Sequence, residues 1–148
     1  MSKLKALVAY LSYSGNTEEV AEIIQEVLRE ERFTVDTHRI GWDPPIYPED
    51  YDLIFLGTFT WGKGETPDEV KDFVLEIGYK PENIAVFGTG ETQFGGDELF
   101  CKAAEKLAKF YNSRFRVLKI EQSPRGSQEE KVKQWVEEVL EHARSLVK

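Results

Sequence analysis

The chain has 148 residues, 41% hydrophobic and 31% charged, with 27 acidic against 19 basic side chains and a net charge of −8. That is enough apolar mass for one ordinary domain, and it excludes two classes. A membrane span needs about 20 consecutive apolar residues, and a nucleic-acid binder needs a basic face. One cysteine excludes an internal disulfide, and Cys101, His38 and His142 are too scattered for a metal cluster, so no metal is expected. Met1-Ser2-Lys3-Leu4-Lys5 carries no signal-peptide pattern, which points to the cytoplasm, and the acidic balance suits basic protein partners.

Residues 4–10 read as the first strand, with Ala6-Leu7-Val8-Ala9-Tyr10 as its apolar run. A hydroxyl-rich turn follows, Leu11-Ser12-Tyr13-Ser14-Gly15-Asn16-Thr17, and then a helix over 17–31 with Val20, Ile23, Ile24, Val27 and Leu28 on one face. A strand entering a helix in this way aims free backbone N–H groups and the positive helix end at one point. Ser12, Ser14 and Thr17 can add hydroxyl donors, which makes an anion site. The turn lacks the G-x-x-x-x-G-K-[ST] and G-x-G-x-x-G patterns, and positions 11–19 hold no Lys or Arg. A single phosphate monoester held by neutral donors is the ligand such a turn suits. On its own, the turn is equally the start of a well-capped helix.

A second strand is expected over 33–38, followed by Gly41-Trp42-Asp43-Pro44-Pro45-Ile46-Tyr47-Pro48, too proline-rich for a regular helix. The third strand, 53–57, leads into Thr58-Phe59-Thr60-Trp61-Gly62-Lys63-Gly64-Glu65. A tryptophan among polar residues and two glycines suits stacking on a planar ring better than packing alone. Thr66, Pro67 and Glu69 then spell an N-cap, a first helical position and a capping box for a helix over 67–77, closed by Gly78. The fourth strand, 84–87, precedes Gly88-Thr89-Gly90-Glu91-Thr92-Gln93-Phe94-Gly95-Gly96-Asp97, in which Phe94 offers a second stacking face. A helix over 98–111, a strand over 116–121 and a helix over 128–147, capped at Ser127, complete the chain. Cys101 reads as a small core residue rather than a thiol nucleophile, and both histidines as surface residues.

Five strand–helix alternations imply a single α/β domain spanning 1–148, a three-layer sandwich with helices on both faces of a five-stranded parallel sheet; the order 2-1-3-4-5, one of the common doubly wound solutions, is the one expected. In such sheets ligands sit beyond the carboxyl ends of the strands, beside strand 1. The loops after strands 1, 3 and 4 should therefore converge.

S-x-S-G-N-T after strand 1, T-x-T-W-G after strand 3 and F-G-T-G-E-T plus an aromatic after strand 4 resemble the flavodoxins, in order and over the whole chain. The absence of a long insertion near Val117–Glu121 resembles the short-chain subgroup. The resemblance implies a small acidic electron carrier holding one FMN noncovalently and shuttling electrons at low potential, without substrate turnover of its own. Its partners would be a flavodoxin/ferredoxin reductase and electron-accepting enzymes, with no nucleic acid and no membrane, and the protein would be monomeric. Ser12, Tyr13, Ser14, Gly15, Asn16 and Thr17 would bind the phosphate. Trp61 and Phe94 would cover the two faces of the flavin ring, and Gly62 would turn its carbonyl toward flavin N5. Thr58, Phe59, Thr60, Gly88, Thr89, Gly90, Glu91 and Cys101 would line ring and ribityl chain. An acidic surround of Glu65, Asp68, Glu69, Glu91 and Asp97 would lower the second reduction potential. The outer stacking residue is usually tyrosine, and Lys63 stands where the family often has an acid. The segment from Gly88 to Leu107 also resembles flavoproteins that activate manganese ribonucleotide reductase; Trp61 favours the carrier. A receiver-type signalling domain would need aspartates where Leu11-Ser12 and Gly57-Thr58 stand, and a flavin-dependent quinone or azo reductase usually needs a longer chain and a dimeric site.

Overall fold

The apolar runs pair side by side as parallel strands: β1 (Lys5–Tyr10), β2 (Thr34–Arg39), β3 (Leu53–Phe59), β4 (Ile84–Gly90) and β5 (Leu118–Glu121), in the order β2-β1-β3-β4-β5. The structure, a computed structural model, describes residues 4–12, 15–44, 46–59, 66–78, 83–90, 101–121 and 126–146. Among these, four helices cover the sheet: α1 (Asn16–Glu30), α2 (Asp68–Ile77), α3 (Lys102–Tyr111) and α4 (Ser127–Leu146). The expected fold class and strand order are the observed ones, and among the described residues of the Pro-rich connection there is a 3-10 turn at Pro48–Asp50 and no regular α-helix. No helix among the described residues is long and apolar enough to cross a membrane.

Alternation along β1 explains why it reads as a continuous apolar run. Ala6, Val8 and Tyr10 join one core with Val20, Ile24 and Leu28 of α1 and Val132, Trp135 and Val136 of α4. Leu7, Ala9 and Leu11 join the opposite core with Val70 and Phe73 of α2 and Ala104 and Leu107 of α3. A strand covered on both faces has no polar side to show.

The first core centres on Trp135, fully buried, with Phe55 at 5.6 Å and Phe87 at 6.3 Å in edge-on contacts. The Trp135 Nε1–H donates to the Arg116 carbonyl at 2.6 Å. Pairing of β4 with β5 begins only at Phe87↔Leu118, so the fifth strand starts two residues later than expected, just past the carbonyl that Trp135 takes. Two helix starts also differ. At α2 the helix begins at Asp68 with Pro67 as its cap and no side-chain cap bond; the Pro67 carbonyl accepts from Val70 N–H and Lys71 N–H, so Thr66 does not form the expected capping box. At α3 the described helix runs Lys102–Tyr111, and Cys101 before it has φ 52, a left-handed conformation that a helix interior does not accommodate; positions 98–100 of the expected helix lie outside the described residues.

Candidate functional site

The strand register carries the site. Tyr10 pairs with Gly57, Thr58 with Gly88 and Phe59 with Thr89, so the carboxyl ends of β1, β3 and β4 lie side by side. Beyond β1 the ladder runs on through Leu11 N–H to the Gly57 carbonyl at 3.1 Å. The turn then folds back on itself, the Gly15 N–H donating to Ser12 Oγ at 3.1 Å. Gly15 takes φ 95, where an L side chain is strained, and α1 starts there with no side-chain cap. The Gly15 carbonyl takes Glu19 N–H, while the first-turn amides of Asn16, Thr17 and Glu18 have no carbonyl one turn earlier in the helix to bond. Those amides point where the positive end of a 15-residue helix concentrates its field.

Thr17 opens the buried stripe of α1 and is 1% exposed. Its Oγ1 lies 2.8 Å from Oγ1 of Thr89, 72 residues away and 2% exposed. Alternation along β4 sends Phe87 and Thr89 to the α1 side and Gly88 to the α3 side. This one contact ties the turn after β1 to the end of β4, which is the convergence that the topology requires.

Ser12, Gly15, Asn16 and Thr17 are thus gathered in the turn, and Thr58, Phe59, Thr89 and Gly90 at the adjoining strand ends. The Thr58 hydroxyl is committed to the Phe59 carbonyl at 2.8 Å. Gly88 serves packing: a Cβ there would stand 2.6 Å from Ala104 Cβ, so its smallness lets α3 rest on β4. Cys101 is fully buried, its Sγ directed at the Ile120 carbonyl at 3.9 Å, and burial pushes its thiol up to about 12. It is a core residue, as expected, although it stands just before α3 rather than on its apolar face. Tyr13, Ser14, Thr60, Trp61, Gly62, Glu91 and Phe94 lie outside the described residues, as do Lys63, Glu65 and Asp97.

Two features escaped the sequence. A cleft of about 510 Å³ opens beside the turn, lined by Tyr10, Ser12, Glu18, Arg39 and Trp42, with the Arg39 guanidinium 5.6 Å from the Trp42 ring. Its signal was the strand order itself, which places the end of β2 next to the turn after β1. Second, His38 is not on the surface: it is 3% exposed, its ring 5.2 Å from Phe73, beside a pocket that includes Asp43, Glu69, Asp72 and Glu76. Glu69, expected near the flavin ring, belongs to this group.

Burial pushes the His38 pKa below its usual 6.5, against the pull of Asp43 and Glu76. The fold therefore holds His38 neutral, while the unfolded chain takes up a proton as pH falls through about 6.5. The sign follows: this contribution to stability is complete above about pH 6.5 and is lost as pH drops from there toward the lowered folded value. Urea midpoints of the protein and of His38→Gln, compared at pH 7.5 and 5.5, should show the larger acid loss in the parent. Equal losses would remove His38 from the pH response.

A doubly covered parallel sheet whose switch point carries an uncapped, donor-rich turn is the architecture of mononucleotide-binding proteins. The flavodoxin family model matches residues 8–135. A curated Bacillus subtilis relative, probable flavodoxin 2, is 36% identical over 137 residues, 86% of this chain and 89% of its own. The crystal structure of oxidised flavodoxin 2 from Bacillus cereus superposes with a TM-score of 0.80 at 33% identity, over 93% of this chain and 99% of that one. Flavodoxin 1 from the same species gives 0.83 at 30% identity, over 93% and 98%. The chain belongs to the flavodoxin family, of the short-chain type, whose members carry electrons on FMN and are not substrate-turnover enzymes. Nothing in these matches favours a dedicated ribonucleotide reductase activator. The residues present fit the cofactor: a phosphate monoester only accepts hydrogen bonds near its dianionic state, and the turn offers backbone and hydroxyl donors.

Proposed function

We propose that this flavodoxin is a monomeric, cytoplasmic, low-potential carrier in one domain spanning 1–148. It takes electrons from a flavodoxin/ferredoxin reductase and delivers them to acceptor enzymes through their basic surfaces. The observation that supports this most is the uncapped, left-handed start of α1 set against the ends of β3 and β4. The amides of Asn16 and Thr17 and the hydroxyls of Ser12, Ser14 and Thr17 hold the phosphate, with Tyr13 and Gly15 shaping the turn. Thr58, Phe59, Thr60, Thr89, Gly90 and Glu91 border the ribityl chain and ring, Trp61 and Phe94 cover the ring faces, and Gly62 offers its carbonyl to the ring edge. Gly88 and Cys101 support this rim from the core side. FMN, when bound, supplies the one-electron chemistry; the protein orients it and excludes water. Partner choice rests on the charge of −8, which steers a basic surface toward the molecule and loses that influence in salt.

The test is an anaerobic assay with the FMN-loaded protein, a pyridine-nucleotide-dependent reductase and a one-electron acceptor. A carrier passes electrons between them, with the rate falling as ionic strength rises, and consumes no nicotinamide or quinone by itself. Sustained turnover of either by the purified protein alone would make it an enzyme and overturn the reading.

A further inference from the structure

Two hydroxyls in contact share one proton between them, and the Thr17–Thr89 pair has two possible orders. In one, Thr17 donates to Thr89 and shows only lone pairs elsewhere. In the other, Thr89 donates to Thr17 Oγ1, and the Thr17 proton is left to point away from the pair. The contact is short at 2.8 Å and both residues are buried, so bulk water competes poorly for either oxygen.

An anion distinguishes the two orders. Phosphate oxygens accept and do not donate, so a Thr17 that donates into Thr89 would meet the phosphate with lone pairs and repel it. We infer that Thr89 is a positioning residue for the phosphate turn: by donating its hydroxyl proton to Thr17 Oγ1, it fixes the Thr17 proton toward the phosphate of the bound mononucleotide. The inference rests on the reading that the turn 12–17 receives that phosphate.

The surroundings equip Thr89 for this. It sits in the ladder opposite Phe59, so its backbone is held by a neighbouring strand. Its β-branched side chain has few rotamers, and alternation along β4 turns it to the α1 side. Thr17 is equally constrained, being the second residue of α1 and the first of its buried stripe. A donor fixed by a sheet and an acceptor fixed by a helix hold the proton order without reorganisation when the ligand arrives. Hydrogen bonds in such a chain polarise one another, so the Thr17 hydroxyl becomes a better donor than it would be alone.

The test compares FMN with riboflavin, which lacks the phosphate. Apoprotein affinities for both, by flavin fluorescence, are measured for Thr89→Val, Thr89→Ser, Thr17→Val and the Thr17→Val/Thr89→Val double variant, with thermal unfolding of each apoprotein alongside. Thr89→Val keeps the shape and removes the proton, so FMN binding should weaken about tenfold with riboflavin binding within twofold of the parent. Thr89→Ser should recover the FMN affinity. The double variant should bind FMN no more weakly than Thr17→Val, because Thr89 acts through Thr17. If Thr89→Val does not fold, Thr89→Ala, which also removes the donor, takes its place with the same expectation.

Equal loss of FMN and riboflavin affinity on Thr89→Val would reduce the pair to a structural tie and overturn the inference. So would an unchanged FMN affinity in Thr89→Val while Thr17→Val weakens FMN selectively, a result that leaves the phosphate turn standing. If Thr17→Val leaves the FMN-to-riboflavin ratio as it was, the Thr17 hydroxyl does not meet the phosphate and the inference falls, whereas equal FMN and riboflavin affinities in the parent protein would remove the turn 12–17 itself as the phosphate site.

Discussion

Gly57→Ala is expected to destabilise the fold by about 3 kcal/mol or more, at the upper end of what one added methyl does to a core. A Cβ at Gly57 would lie 2.2 Å, 2.3 Å and 2.8 Å from three atoms of the Phe87 ring, so the ring crosses directly over the glycine. The ring has little freedom to retreat. It packs edge-on to Trp135 at 6.3 Å, and Trp135 is held by its bond to the Arg116 carbonyl and by Phe55. Nor can the backbone yield, because β3 is hydrogen-bonded to β1 on one side and β4 on the other. Urea unfolding should show a lower midpoint with an unchanged slope. Adding Phe87→Leu to the alanine variant should recover part of the loss, since the two sites are in contact and their effects do not add. A Gly57→Ala protein within about 0.5 kcal/mol of the parent would mean the ring does not cover that position.

That contact illustrates what the sequence could show. The turn between β1 and α1 was legible because each of its parts leaves a local mark. A strand buried on both faces has to be apolar throughout, the following helix carries a stripe at 3.6-residue spacing, and the hydroxyls and Gly15 sit between them. Alternation then gives a doubly covered parallel sheet, and the order 2-1-3-4-5 comes with the resemblance to the flavodoxins. Tertiary contacts leave no such mark. Gly88 reads the same whether a ligand or a helix approaches it, and the structure shows Ala104 of α3 there. His38 looks like any exposed strand-end histidine until Phe73 of α2 packs on it. Thr66-Pro67-Asp68-Glu69 spells a capping box, yet the Pro67 carbonyl itself receives the first helical amides, and that choice depends on how the chain enters the helix. The partnership of Thr17 with Thr89 spans 72 residues and arises only when α1 is laid across the sheet.

The turn at the start of α1 is expected to make FMN a far tighter ligand than the same flavin without its phosphate. Hydrogen bonds to a charged acceptor contribute about 1.5–3 kcal/mol each, and three of them from amides and hydroxyls amount to roughly a thousandfold or more in affinity. The charge of −8 works the other way, but it acts through solvent and is screened, while the donors act at contact distance. The ring and ribityl chain are common to both flavins, so their contributions cancel in the ratio. The most direct test is therefore the pair of dissociation constants of the apoprotein for FMN and riboflavin, titrated by flavin fluorescence at one ionic strength. Binding of one FMN per chain, about a thousandfold tighter than riboflavin, is the predicted result. Affinities equal within a few-fold would contradict it and remove the turn from 12 to 17 as the phosphate site.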